Sequence, residues 1–190
     1  MRTLPGAAEL LDIAAQSTGH RDVGDTRFVE ALQQLVQSIN SESDLPDAGA
    51  GNGHDAALGR LLRLVENRQR IETDLEAHPQ IRNIALQPPL IISGLPRVGS
   101  TKLHQLLAKT GDFQSLLFWQ GYNPARRPGD RAAQERARVD DAVRFLEWRS
   151  RRNPASNAAH FLAATEPEED TYLLEFTLHT YWPVSYFEVP

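Results

Sequence analysis

A short apolar run, a glycine-containing turn and an amphipathic stretch follow one another directly between residues 90 and 108. The run Leu90–Ser93 follows Gln87-Pro88-Pro89 and is too short for a helix, so it predicts a buried β-strand. The turn GLPRVGST, Gly94–Thr101, leads into a predicted helix with leucines at 103, 106 and 107 on its apolar face. A strand that passes through a glycine-containing turn into a helix is the usual frame of a phosphate-binding site.

The apolar spacing elsewhere predicts mostly helices. Residues 1–87 are expected to form a helical N-terminal region with helices over Leu4–Gln16, from Asp25 or Thr26 to Ile39, and over about His54–His78. After the turn, the sequence predicts a second strand over Ser115–Trp119, a charged helix over Asp130–Arg149 and a shorter helix over Pro167–Leu178. Strands separated by a helix imply a parallel sheet, so the predicted fold class is α/β.

Composition narrows the function classes. The chain has 190 residues, enough for one ordinary domain, and it contains no Cys, which excludes disulfides and Cys-ligated metal centres. The net charge of -5 argues against a nucleic-acid partner, and no apolar stretch is long enough for a membrane span. The N-terminus lacks the apolar core of an export signal, so a cytoplasmic protein is expected.

The turn differs from the loop of ATP-binding proteins in the residues that follow its second glycine. Gly94 and Gly99 have the spacing of that loop, but Ser100 and Thr101 follow Gly99 where the ATP loop has Lys and Ser or Thr. No strand visibly ends in the Asp that holds Mg²⁺ in nucleoside triphosphatases. A nucleotide kinase or hydrolase remains an alternative, and so does a non-catalytic fragment that acts as a helical interaction module.

Residues 89–108, PLIISGLPRVGSTKLHQLLA, resemble the 5′-phosphosulfate-binding loop of bacterial sulfotransferases. The resemblance extends to a "TGH" turn near Thr18 and to AAHFLAATEPEEDTYLL, Ala158–Leu174. It implies sulfuryl transfer from 3′-phosphoadenosine 5′-phosphosulfate to a hydroxyl or amine of a small molecule or peptide, without a metal. It also implies a P-loop NTPase-like α/β fold of the sulfotransferase type, with residues 88–190 as the N-terminal half of the donor-binding domain.

The resemblance assigns roles to particular residues. Arg97 is the expected cation for the leaving phosphate, and the donor site is expected to comprise Gly94, Pro96, Arg97, Val98, Gly99, Ser100, Thr101 and Lys102. His160 is a candidate general base because an imidazole titrates near neutral pH. Glu168 and Glu169 are rival bases, although acidic residues after Pro167 are also typical of the start of a helix.

The sequence departs from the family at two positions and at its end. Lys102 stands where relatives have an apolar or aromatic residue, and Gln120 stands where they often have Glu. The chain ends after an aromatic stretch, at about half the length expected of the family, so we expect a C-terminally truncated form. Its self-association is expected through the core surface of Phe176, Tyr181, Trp182, Tyr186 and Phe187. The sequence does not identify the sulfuryl acceptor.

Overall fold

The computed structural model describes residues 3–42, 53–95, 98–152, 154–155 and 160–180. Its α-helices are α1 Ala7–Thr18, α2 Thr26–Glu42, α3 His54–Ala77, α4 Ser100–Ala108, α5 Phe118–Tyr122, α6 Arg131–Arg152 and α7 Thr171–Leu174. Two 3₁₀ helices span Pro79–Asn83 and Glu175–Thr177, and residues 154–155 are also helical. Within them, every helix is too short or too polar to traverse a bilayer. The expected cytoplasmic location stays a prediction.

The α/β prediction is wrong for the described residues, in which no β-strand forms. Leu90–Ser93 lies outside any helix or strand, and Leu90 and Ile91 are 58% and 78% exposed. The second predicted strand contributes only an isolated antiparallel bridge between Leu117 and Pro167, after which α5 begins. The physical reason is that a strand needs a neighbouring strand to bond its backbone N–H and C=O groups, and these segments have none in the described ranges.

The chain divides into two compact units. The first comprises Met1–His78, Pro124–Arg127 and Thr171–Pro190, and the second comprises Pro79–Asn123 and Pro128–Asp170. The predicted boundary between residues 87 and 88 stays a prediction.

The core of the first unit lies among α1, α2 and α3. Its fully buried side chains come from the apolar positions that repeat at spacings of three and four, including Leu10, Leu32, Ile39, Leu61 and Val65. Gly19 ends α1 in the left-handed conformation, with φ of 72°, and its N–H donates to Ala15 O. Asp25 precedes α2, where its Oδ1 accepts the Arg27 N–H at 2.9 Å. Hydrogen bonds from Arg27 hold the pKa of the Asp25 carboxyl below its ordinary value.

One buried amide joins α1 to α3. Gln69 is completely buried; its Nε2 donates to Leu11 O at 3.0 Å, and its Oε1 accepts the Thr18 hydroxyl at 2.7 Å. A buried amide without these partners would cost free energy, so the two bonds fix the position of α1 along α3.

The second unit is built around α5 and α6. Phe118 and Trp119 are buried, and the Arg138 guanidinium lies 4.5 Å from the Trp119 ring centroid. Aromatic rings from both helices stack with centroids 4.6–6.2 Å apart, namely those of Phe118, Tyr122 and Phe145. The charged face of α6 carries ion pairs within the helix, as its sequence predicts: Asp141 with Arg144 and Glu147 with Arg151.

A first prediction concerns the buried amide. Gln69→Leu keeps most of the side-chain volume but removes both hydrogen bonds, so we expect the free energy of unfolding to fall by about 1–3 kcal/mol. Gln34→Leu makes the same chemical change at an exposed position of α2 and should alter it by less than about 0.5 kcal/mol. Urea denaturation of both variants measures the difference. Equal stability of the two would show that the amide does not fix α1 on α3.

Phe176, one of the five residues in the self-association surface expected from the sequence, is buried in the structure. The other four, Tyr181, Trp182, Tyr186 and Phe187, lie outside the described residues.

A second prediction concerns apolar surface in the second unit. Large side chains between residues 81 and 106 are at least 40% exposed, namely Ile81, Ile84, Leu86, Leu90, Ile91, Leu95, Val98, Leu103 and Leu106. We propose that this surface drives self-association, because burying exposed apolar side chains between two copies of the chain removes them from water, which lowers the free energy.

Sedimentation velocity across a concentration series tests this proposal. Ile91→Lys combined with Leu95→Lys should lower the association constant by about tenfold or more and reduce binding of an apolar dye. Val143→Lys, at a position of α6 that is 40% exposed, is the matched control and should change neither. A dye-negative monomer at every concentration would contradict the proposal.

Candidate functional site

The glycine-containing turn leads directly into α4. Gly99 has φ of 91° and ψ of 16°, a left-handed conformation that residues with a side chain rarely adopt, and it immediately precedes Ser100, the first residue of the helix. Gly99 O accepts the Leu103 N–H at 3.0 Å, which closes the first helical turn. Pro96 and Arg97, both predicted site residues, lie outside the described residues.

Gly94 is needed for a different reason. A Cβ built at this position would lie 3.0 Å from Val98 Cγ2, which is closer than ordinary van der Waals contact. The chain therefore turns back tightly enough that residue 98 lies over residue 94. Two glycines thus have separate tasks: Gly94 allows the close approach, and Gly99 supplies the backbone conformation that starts the helix.

The start of α4 has the electrostatics of an anion site. The N–H groups of Ser100, Thr101 and Lys102 precede the first intrahelical donor and have no acceptor within the helix. Together with the helix dipole they favour a negative charge. The Ser100 and Thr101 side chains are half-buried, whereas Lys102 is exposed. The described part of the predicted loop therefore presents backbone amides, two hydroxyls and one ammonium group at one end of a nine-residue helix.

His160 and Glu168 form a pair in the second unit. His160 Nε2 lies 3.2 Å from Glu168 Oε1, the His160 side chain is 35% exposed, and Glu168 is buried. The ionised Glu168 carboxylate accepts a hydrogen bond from the Nε2–H group of His160. In a neutral imidazole the lone pair is then on Nδ1. The geometry therefore orients the ring and fixes its tautomer. Such a pair can take up a proton at Nδ1.

The backbone holds Glu168 in place. The Glu168 N–H donates to Leu116 O at 2.9 Å, and the Phe118 and Trp119 N–H groups donate to Glu166 O and Ala164 O, each at 3.0 Å. These bonds flank the bridge between Leu117 and Pro167. The carboxylate is thus fixed by the short bridged segment rather than by a helix. The expectation that a helix starts at Pro167 is wrong, because α7 begins at Thr171.

The predicted site residues fall into two groups. The described loop residues lie at the start of α4, and His160 lies with Glu168, while Glu169 is exposed. Among the described residues, no hydrogen bond or ion pair joins the loop to the His160–Glu168 pair. The sequence treats His160 and Glu168 as rival bases; the structure makes them partners. The Arg149 guanidinium, which donates to His160 O at 3.4 Å, was not selected from the sequence, where it stands among many arginines.

A glycine-containing turn that opens a helix is an arrangement that many phosphate-binding proteins share. Comparison with known families makes the assignment specific: the profile of the sulfotransferase family matches residues 88–190, which include the whole turn, the bridged segment and the His160–Glu168 pair. The chain therefore belongs to the sulfotransferase family.

Two solved structures are similar to this chain. The sulfotransferase STF1 of Mycobacterium tuberculosis is 26% identical with a TM-score of 0.64, and the sulfotransferase STF9 of Mycobacterium avium is 21% identical with a TM-score of 0.65. Each match covers 98% of this chain and 50% of the other, so the chain spans about half the length of these proteins. No curated protein matches the chain significantly.

A third prediction separates the two neighbouring glutamates. Glu168→Ala removes a buried carboxylate that pairs with His160, so we expect the free energy of unfolding to fall by about 1–3 kcal/mol. Glu169→Ala, one position along and exposed, is the matched control and should leave stability almost unchanged. Thermal and urea unfolding measure both variants. A larger loss for Glu169→Ala would contradict the described pair.

Proposed function

We propose that this protein binds 3′-phosphoadenosine 5′-phosphosulfate at the start of α4 and takes part in transferring its sulfuryl group to a hydroxyl or amine. The observation that carries the proposal is that the family match spans a turn whose Gly99 has the left-handed conformation directly before the helix. The donor supplies an activated sulfur–oxygen bond to its 5′-phosphate. The rest of the proposal concerns what the residues of this chain do.

The start of α4 fits the 5′-phosphate end of the donor. The amides of Ser100, Thr101 and Lys102 and the two hydroxyls offer hydrogen-bond donors to phosphate oxygens, and the Lys102 ammonium adds a positive charge. Arg97 is the proposed second cation, by its place in the family loop. Negative charge grows on the leaving phosphate oxygen as the sulfur–oxygen bond breaks, so fixed donors and cations stabilise the transition state more than the ground state.

The His160–Glu168 pair supports a role in proton transfer. Glu168 holds Nε2, so Nδ1 is the proposed basic atom, and the His160 side chain is 35% exposed. In the proposed step Nδ1 takes the hydroxyl or amine proton while the acceptor atom bonds to sulfur. Glu168 is then a positioning residue that also stabilises the imidazolium. Glu169, which is exposed, has no part in this proposal.

A fourth prediction tests the donor site by calorimetry with the product nucleotide, 3′-phosphoadenosine 5′-phosphate. We expect binding in the presence of EDTA, because no Lys directly follows Gly99 to form the ATP loop. Arg97→Ala should weaken binding by about 10- to 100-fold through loss of a charge-assisted bond, and Thr101→Val by about three- to tenfold. Thr110→Val, at the opposite end of α4 where the hydroxyl bonds Leu107 O, is the matched control.

The alternatives give different results in the same experiment. Binding of ATP with Mg²⁺, but not of the 3′-phosphorylated nucleotide, would overturn the proposal in favour of a kinase or hydrolase. No binding of either nucleotide would favour a non-catalytic interaction module. Equal effects of Thr101→Val and Thr110→Val would contradict a site at the start of α4.

A further inference from the structure

Three potential metal ligands meet in the first unit, where the sequence suggests only helix packing. His20 and Asp22 lie in the turn between α1 and α2, and Glu76 lies in the last turn of α3. One ligand atom from each, an imidazole nitrogen and two carboxylate oxygens, lies within 4.8 Å of the others. Asp22 and Glu76 are exposed, so an ion from solvent can reach the two carboxylates, and His20 is half-buried.

The imidazole nitrogen of His20 has an unexplained environment. Nε2 is shielded from solvent, and among the described residues it has no hydrogen-bond partner. It lies 3.9 Å from Glu76 Oε1, which is too long for a hydrogen bond. Shielded polar atoms normally have a partner. Two ligand atoms that each lie about 2.1 Å from a shared tetrahedral ion are about 3.4 Å apart. The 3.9 Å between His20 Nε2 and Glu76 Oε1 is closer to that separation than to a direct hydrogen bond.

The backbone arranges these ligands without needing an ion. The Thr18 hydroxyl, which bonds the buried Gln69, also accepts the His20 N–H at 3.3 Å. Glu76 is seven residues beyond Gln69 and so lies on the same face of α3. The same network that fixes α1 on α3 thus brings His20 beside Glu76.

Asp22 is held by its own turn. Its Oδ1 accepts the Gly24 N–H at 2.9 Å, and Gly24 has φ of 75°. That hydrogen bond is the main reason that the pKa of the Asp22 carboxyl lies below its ordinary value, with smaller effects of His20 and Arg68. Glu72 also lies against this turn, because a Cβ on Gly24 would clash with its Oε1.

We propose that His20, Asp22 and Glu76 bind a divalent transition-metal ion of the Zn²⁺ type. One imidazole and two carboxylates are ligands that Zn²⁺ accepts, whereas Mg²⁺ and Ca²⁺ prefer oxygen ligands alone. Water completes the coordination at the exposed side. The ion connects the turn before α2 to the end of α3, so it stabilises the folded first unit.

Titration of the full chain with ZnCl₂, followed by calorimetry, tests the proposal. We expect one site that His20→Ala weakens at least about tenfold, and that Asp22→Asn and Glu76→Gln also weaken. Asp22→Asn keeps an oxygen that can accept the Gly24 N–H. A weaker Zn²⁺ affinity of this variant therefore measures the loss of the negative charge and of the carboxylate ligand, and not the loss of the turn. His179→Ala and Glu30→Gln change exposed residues outside the group and should leave the affinity unchanged.

Two further measurements make the proposal falsifiable if a variant is destabilised. Co²⁺ in place of Zn²⁺ should give a visible absorption band of mixed nitrogen and oxygen ligation, which disappears in His20→Ala but persists in His179→Ala. Zn²⁺ should raise the unfolding temperature of the parent chain more than that of His20→Ala. Zn²⁺ binding that is insensitive to His20→Ala, or equal binding of Mg²⁺ and Ca²⁺, would overturn the proposal.

Discussion

The first unit depends on the amide of Gln69. A carboxamide can be buried only if it is hydrogen-bonded, and here one end binds the backbone of α1 while the other binds the hydroxyl that ends it. Leucines alone would allow α1 to slide along α3 by a turn with little loss of buried area. The amide removes that freedom, and the turn that carries His20 is fixed as a consequence. Packing supplies the free energy of this unit, and the two hydrogen bonds of Gln69 position α1 on α3.

The helices were predictable because a helix bonds its own backbone. The spacing of Phe28, Leu32 and Val36 marks one face of α2, and that pattern needs no knowledge of any other segment. Leu90–Ser93 carries an equally plain signal for a strand, but a strand requires a partner that the local sequence does not contain. The prediction failed there for that reason. Because no described strand pairs with this apolar run, the side chains of Leu90 and Ile91 are exposed.

The left-handed conformation of Gly99 could be expected from the sequence, but the contact between His160 and Glu168 could not. The resemblance selected Gly99, His160 and Glu168, and the conformation of Gly99 agrees with the need for glycine before α4. The contact between His160 and Glu168 depends on a backbone bridge whose partners are far apart in sequence, so no local pattern reports it. The same holds for His20 and Glu76, which only the packing of α1 on α3 brings together.

The bridge between Leu117 and Pro167 closes a large ring of the chain that contains α6. The entropy of closing such a ring depends only weakly on its length: each doubling costs about 0.6 kcal/mol. Lengthening or shortening the chain at Pro128–Gly129, before α6, therefore changes the closure energy little, so the bridge that holds Glu168 beside His160 can form with connections of different length.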